Sequence, residues 1–540
     1  MLHYIQCSAM HKICGKAIRS VSPLNETAAL TKEHIFFQIA VWSDFSRPKL
    51  VKIKDLSNTF NEIFLIKSVP VSFDHYPDDQ DQNYIATGPA MIPDCLIPLS
   101  SMDTISVGSD PTLLWVTARA HFAGEYTISY QFSSEGESIT TSFAMKVLDR
   151  ALLSGRCSLT ASFSPQSIAA NENIPLFSNV FWEQLSNHFR LAKSNGIKDI
   201  ITPLFASAES DCFDRIPDQL IKIRVNKKKY EYNFDTMDSW LLDGMKNGIE
   251  NFTFSALFPS MISQKCPRVY AEGYKKQYLI FSEEDHILSE KYIQFLRDFL
   301  RKFNSHLKEI GLLNRVTYIM TEEITPDYAS IYNECFKSIQ KALSGQKIIS
   351  KMRPQVTNEF EGFPAPIVPI DAVEPYLIYP FAPKINFDIN KSDGFMNQLI
   401  AAPAMRIRSF GLLCYLHDFG GIVLDHYNCS ISPITNKEFD PLISPDGDGA
   451  FPAGSLFMVY NHAHGPYPSM RLHLLRAAIQ DSVLLYLLED YLPRERIIAM
   501  IEREFSFSIN HYPTDIDQYH RFMDKIHALY ETHLKKQKKK

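Results

Sequence analysis

Arg315-Val-Thr-Tyr-Ile-Met-Thr-Glu322-Glu323-Ile-Thr-Pro326 runs an apolar segment directly into two neighbouring carboxylates. Val316, Tyr318, Ile319 and Met320 favour extended backbone, and Pro326 opens a helical pattern, so the acidic pair sits where a strand hands over to a helix. Upstream, the span from Ser289 to Ile310 puts Ile293, Leu296, Leu300, Phe303, Leu307 and Ile310 on one face of a helix that stops at Gly311. Downstream, a helix over Asp327 to Leu343 stops near Gly345 and leads into Lys347-Ile-Ile-Ser350. In a parallel α/β barrel, the edge where strand meets helix is where catalytic groups gather. Two like charges on adjacent residues disfavour each other, which leaves one carboxyl suited to proton donation.

The same alternation recurs on both sides. Phe181 to Ser194 has helical spacing, ends at Asn195-Gly196 and leads into Ile197-Lys-Asp-Ile-Ile-Thr-Pro203. A helix over 236–247 precedes Gly248-Ile-Glu-Asn-Phe-Thr-Phe254, and a long helix runs from Ser469 to Tyr491. Residues 1–150 instead read as β-rich. Thr112 to Arg119 is a strand candidate, and Glu125 to Phe132 alternates before a turn at Ser134-Glu-Gly136 and a partner over Ile139 to Leu148. Thr87 to Pro98 is proline-rich and is expected to form a rigid edge or linker. The expected fold class is α/β, with a (β/α)8 TIM-like barrel over 151–490. An antiparallel β-sandwich precedes it over 1–150, and a C-terminal helical tail follows over 491–540.

At 540 residues the chain exceeds a single core. Hydrophobic content of 45%, charged content of 21% and a net charge of −6 suit a globular protein and give no support to a nucleic-acid partner. The nine cysteines are scattered without any CxxC, which argues against a disulfide framework or thiolate zinc. No signal peptide and no membrane span are expected, and a cytoplasmic location fits best. The 17 histidines lack HExxH or paired spacing, so neither a catalytic metal nor a cofactor is expected. Lys535-Lys-Gln-Lys-Lys-Lys540 reads as a solvated, frayed end.

Several ordered blocks resemble glycoside hydrolase family 123. They are Gly88 to Leu99, Leu114-Trp-Val116 and Ala123 to Thr127, then Tyr318 to Ile324. Asp446-Gly-Asp-Gly449, Gly454, Gly465 to Arg476 and Gln480-Asp481 complete the set. The resemblance implies a β-N-acetylhexosaminidase-like enzyme acting on a terminal N-acetylgalactosamine of a glycan or glycoconjugate. It also implies retention of configuration through attack by the substrate's own acetamide. By position, Glu322 would stabilise the acetamide and Glu323 would be the acid/base. Glu322 stands where the family has Asp, reaching about 1.3 Å further, and Ile324 stands where relatives often have Pro. Tyr376 to Tyr379 and Asp425 to Asn428 lie where relatives are richer in tryptophan.

Substrate-binding candidates are Tyr379 as a pocket phenol, Arg408, and Tyr427 and Asn428 for sugar hydroxyls or the acetamide. The alternative for the last two is satisfaction of loop backbone groups. Phe419-Gly-Gly-Ile-Val-Leu-Asp425, preceded by Arg406 and Arg408, also resembles a nucleotide-sugar glycosyltransferase strand. The second metal-binding carboxylate expected there is replaced by Tyr427, so a glycine-rich barrel strand explains the run better. Asp446 to Gly449 is expected to be a tight turn, and Arg471 and Arg476 to pair with carboxylates behind the site or at the surface. Two further functions are carried: a carbohydrate-binding barrel without turnover, and a metal-dependent glycosyltransferase.

Overall fold

Eight short segments, none longer than six residues, become parallel strands that close on themselves. In chain order they are Ser158–Ser162, Ile197–Thr202, Asn251–Phe254, Val316–Ile319, Lys347–Lys351, Ala365–Pro369, Lys384–Asn386 and Gly421–Leu424. The computed structural model describes all residues except 16, 17, 19, 20, 46, 74–82, 87, 100–103, 154, 208–216, 228, 323, 354–364, 379–381, 388–393 and 538–540, and the side chain of 365. Closure depends on Gly421, which pairs with Ser158 of the first strand. A Cβ there would stand 2.2 Å from the Ser158 carbonyl oxygen, so only glycine lets the last strand meet the first.

Side chains alternate along a strand, so every second residue enters the barrel. The lower inward layer is polar. Asp199 accepts hydrogen bonds from Thr160 (2.9 Å) and Thr253 (2.9 Å) and pairs with Lys384 at 3.2 Å. Above it lies an apolar layer of Ile201, Ile319, Ile349, Ile367 and Val423, joined by Ala256. The next inward positions, at the C-terminal rim, are Lys351 and Asp425.

The helices form where the spacing predicts. Asn179–Ser194 is capped by Ser178 and released at Gly196, with φ +83°. Glu290–Glu309 is capped by Ser289 and buries Phe295, Leu296, Phe299, Leu300 and Phe303. Met470–Leu488, capped by Ser469, is buried on nearly every side, its charged Arg471 and Asp481 included, because the barrel covers one side and the N-terminal sheets another.

The first 151 residues form three sheets around one core that includes Phe37, Ile39, Val51, Leu114, Val116, Phe132, Phe143 and Met145. Pairing is antiparallel except between Phe143–Ala151 and Glu26–Thr31, which run parallel. The hairpin expected over 125–148 is split between two sheets. Tyr130–Ser134 pairs with Glu137–Thr140, whereas Gly124–Ile128 pairs with Phe143–Ala151. The break is a corner held by side chains: Ser129 Oγ donates to the Thr141 carbonyl (2.6 Å), and Thr141 Oγ1 accepts from the Tyr130 amide (3.1 Å).

The proline-rich segment is an edge strand, Ala90–Pro98. Its ladder with Phe60–Val71 slips at Asp94, which is bulged out of register. The bulge turns the Asp94 carboxylate onto the Arg471 guanidinium. Nε lies 3.0 Å from Oδ1, and Nη2 lies 2.9 Å from Oδ2. Both side chains are 0% exposed. Tyr460 donates to the same carboxylate at 2.7 Å. The remaining Arg471 nitrogen serves the carbonyls of Gln398, Gly454 and Phe457.

The last helix, Ile516–Gln537, straps the two halves together. Tyr519 donates to Asp481 of the 470–488 helix at 2.6 Å, His527 lies 3.5 Å from Glu33 of the sandwich, and Lys146 pairs with Glu531 at 2.8 Å. Lys535 of the basic end pairs with Glu531 at 2.6 Å. No helix among the described residues is long and apolar enough to cross a membrane.

Two predictions follow from these seams. Removing one partner of a buried, fully hydrogen-bonded pair strands the other charge, so R471M should cost about 3–5 kcal/mol of stability. D94N/R471M should recover part of that loss; denaturant unfolding reads both. Burial, reinforced by the Arg476 cation, lowers the His473 pKa to about 3 and, with Arg119 adding to it, the His34 pKa to about 2; burial alone lowers His188 to about 3. These imidazoles stay neutral in the fold but charge near pH 6.5 in the unfolded chain. Their stabilisation is therefore complete above pH 6.5 and is lost as pH falls, at up to about 1.4 kcal/mol per unit for each. The melting temperature should fall below pH 6.5, with a shallower slope in H473L; identical slopes would contradict this.

Candidate functional site

The fourth barrel strand ends at Ile319, but extended pairing continues to Thr321. Phe258 N–H donates to the Met320 carbonyl (3.0 Å) on one side, and Lys351 N–H donates to the Thr321 carbonyl (2.9 Å) on the other. The Glu322 N–H then turns to the Pro259 carbonyl at 3.2 Å, so the backbone leaves the ladder at this residue. Its side chain is 42% exposed and opens on a cavity of about 630 Å3 at the C-terminal end of the barrel. Glu323 lies outside the described residues.

Beside Glu322 at this mouth is Lys351, the inward position beyond Ile349 on the neighbouring fifth strand. Its ammonium lies 2.7 Å from Asp425 Oδ1 and 3.7 Å from Glu322 Oε2. Asp425 is the inward position beyond Val423 on the eighth strand, and its Oδ2 accepts from the Asn386 amide at 3.0 Å. Burial disfavours the Lys351 ammonium, but Asp425 and then Glu322 outweigh it, and the pKa is raised. Burial also opposes the Asp425 carboxylate; Lys351, His426 and the Asn386 amide outweigh it, and the pKa falls below the usual range. His426 has its pKa lowered by burial against the pull of Asp425. At neutral pH the rim therefore holds a fixed ammonium, a fixed carboxylate and a neutral imidazole.

The outer wall is polar and internally paired. Arg268 meets Glu283 at 3.2 Å, and Asp218 accepts from the Ser207 amide (2.9 Å) and hydroxyl (2.7 Å). The floor is the apolar layer beneath Lys351, where Ile201 and Ala256 line it, so among the described residues the cavity is blind toward the barrel interior.

The expected binding residues are placed differently. Tyr379 lies outside the described residues. Tyr427 does not line the cavity: it is fully buried, stacked on Phe163 with centroids 4.6 Å apart and edge-on to His188. Asn428 is also buried, and its amide is consumed by Ser164, accepting from N–H (2.8 Å) and donating to the carbonyl (3.1 Å). It staples the loop after the last strand to the loop after the first, the backbone-satisfying role weighed for it above. Arg408 points away from the cavity to Asp481 (2.7 Å), beneath the Ile516–Gln537 helix. Lys351, Asp425 and His426 line the cavity although no sequence motif points to them. Period-two alternation from Ile349 and Val423 points to the first two, since each is the first charged residue after an apolar inward position.

Comparison with known proteins adds an independent line. The model of the family described as glycoside hydrolase 123, catalytic domain, matches residues 163–488. A solved structure of a family 123 glycoside hydrolase from Clostridium perfringens, described in terms of glycolipid glycan hydrolysis, superposes with a TM-score of 0.73. The identity is 14%, and 98% of each chain is covered. A family 2 glycosyl hydrolase from Bacteroides cellulosilyticus matches over 74% of this chain and 42% of its own, at 10% identity; its TM-score of 0.27 is too low to bear on the fold. No functionally curated protein matches. With more than half its length matched and a blind cavity at the carboxyl rim of its barrel, the chain belongs to glycoside hydrolase family 123.

Proposed function

We propose that this glycoside hydrolase removes a terminal β-linked N-acetylhexosamine, first of all N-acetylgalactosamine, with retention of configuration. The observation that carries this is Glu322, leaving the fourth strand at the mouth of a blind cavity in a family 123 barrel. In the proposed mechanism the substrate's acetamide oxygen attacks the anomeric carbon while Glu323 gives its proton to the departing glycosidic oxygen. The Glu322 carboxylate accepts the acetamide N–H and stabilises the positive charge of the resulting oxazolinium ion. Glu323, now a carboxylate, takes a proton from water as that water attacks the same carbon. The acetamide is restored, and the sugar leaves as the β-anomer.

The extra methylene at Glu322 is compatible with this scheme. Thr321 is tied on both sides, so the backbone is set before the longer side chain begins, and Lys351 stands within 4 Å of its end. A cavity of this size falls within the range of small-molecule sites, with room for part of the aglycone beside the terminal sugar.

E323Q should lower kcat/KM for a phenyl β-N-acetylgalactosaminide by about 10²–10⁴. The loss should be smaller for a dinitrophenyl leaving group, which departs without a proton. Release of no aryl group from either the galactosaminide or the glucosaminide by the unaltered protein would refute the assignment.

A further inference from the structure

The proposed chemistry occupies Glu322 and Glu323 with the acetamide and the glycosidic oxygen, leaving the ring hydroxyls without assigned partners. The deep part of the cavity offers two rigid groups for them. Lys351 has three N–H donors. One is directed to Asp425 at 2.7 Å, and Glu322 at 3.7 Å is too distant for a full hydrogen bond, so donor capacity remains. Asp425 has Oδ1 shielded by the ammonium. Its Oδ2 takes one hydrogen bond from Asn386, and a carboxylate oxygen can accept a second. Both side chains line the cavity, at 17% and 23% exposure. A half-buried ion pair of this kind adds little stability over apolar packing, and here it stands on an apolar layer that would accept such packing.

We propose that the Lys351–Asp425 pair is the hydroxyl-recognition element of the sugar site. One ring hydroxyl accepts an N–H from Lys351 and donates its O–H to Asp425. A hydroxyl is both donor and acceptor, which matches an ammonium beside a carboxylate; an ether oxygen or a fluorine can only accept. The pair thereby selects the stereoisomer whose hydroxyl reaches both groups, while the acetamide contact selects only for the N-acetyl substituent. Among the described residues, the titratable groups nearest the pair are otherwise engaged, and Arg268 on the outer wall is paired with Glu283. His426 is neutral, Arg353 is engaged by Asp371 at 3.3 Å, and Lys384 is held by Asp199 one layer below. This inference rests on the cavity being an N-acetylhexosamine site.

The test uses the thiazoline of N-acetylgalactosamine, a stable mimic of the oxazolinium ion, with its 3-, 4- and 6-deoxy analogues. Calorimetric affinities are measured for the full chain and for D425N, K351M and K351R, after circular dichroism and melting show that each variant folds. In the unaltered protein one deoxy analogue should bind about 10- to 100-fold more weakly than the parent, the range for a hydrogen bond to a charged group. In D425N and K351M that same analogue should bind as well as the parent, and K351R should regain part of the discrimination. Equal loss for parent and all analogues, unchanged parent affinity in both variants, or no binding to the unaltered protein would each overturn the proposal. Thiazoline binding with this selectivity but no aryl glycoside hydrolysis would uphold the pair and refute the hydrolase mechanism. Hydrolysis without the selectivity would do the reverse.

Discussion

One ammonium, that of Lys351, ties together the ends of three barrel strands at the mouth of the cavity. It reaches Asp425 on the eighth strand and Glu322 after the fourth, while its own fifth strand supplies the amide that fixes Thr321. Burying a charge is costly unless it is paired, so Lys351 and Asp425 hold each other in place, with the more exposed Glu322 at the edge of the pair. The parallel closed barrel makes the arrangement possible. Its strands converge, its alternation sends Lys351 and Asp425 to the same layer, and the apolar layer below keeps water from entering from beneath.

A second buried pair holds the frame that this site stands on. Asp94, forced out of register on a sandwich edge strand, uses both oxygens on Arg471, whose remaining nitrogen satisfies the loops before the Met470–Leu488 helix. The sandwich thus fixes the loops that follow the last barrel strand. Within them, Asn428 and Asn461 close the gap back to the first strand: the Asn461 amide donates to the Asn428 carbonyl at 3.0 Å. A catalytic cavity needs its groups held to within about 0.5 Å, and a supporting shell of satisfied polar contacts provides that precision.

Much of this architecture is legible in the sequence. Gly196, Gly311 and Gly345 take positive φ as helix stops and separate helix from strand as their spacing predicts. The segment before Glu322 declares a strand end. Other features leave weaker traces. Lys384–Asn386 is three residues long, too short for any periodicity, and its role is visible only when Lys384 meets Asp199 across the barrel. The sheet switch at Ser129 and Thr141 interrupts an alternation that reads as one continuous hairpin. Arg408, Tyr427 and Asn428 carry the residue types of a sugar site, yet each is consumed by a structural neighbour. Residue type alone does not distinguish a side chain facing a ligand from one facing Asp481, Phe163 or Ser164. Alternation carried one step past Ile349 and Val423 marks Lys351 and Asp425, but a further step reaches Tyr427, which is buried against Phe163.

In the proposed complex a terminal N-acetylhexosamine seats between Glu322 and the Lys351–Asp425 pair. A crystal structure with the N-acetylgalactosamine thiazoline tests it most directly. The predicted complex has the thiazoline ring beside Glu322 and one sugar hydroxyl within about 3.2 Å of both Lys351 Nζ and Asp425. A ligand seated elsewhere on the protein, or a sugar in the cavity with its hydroxyls turned away from that pair, would contradict it.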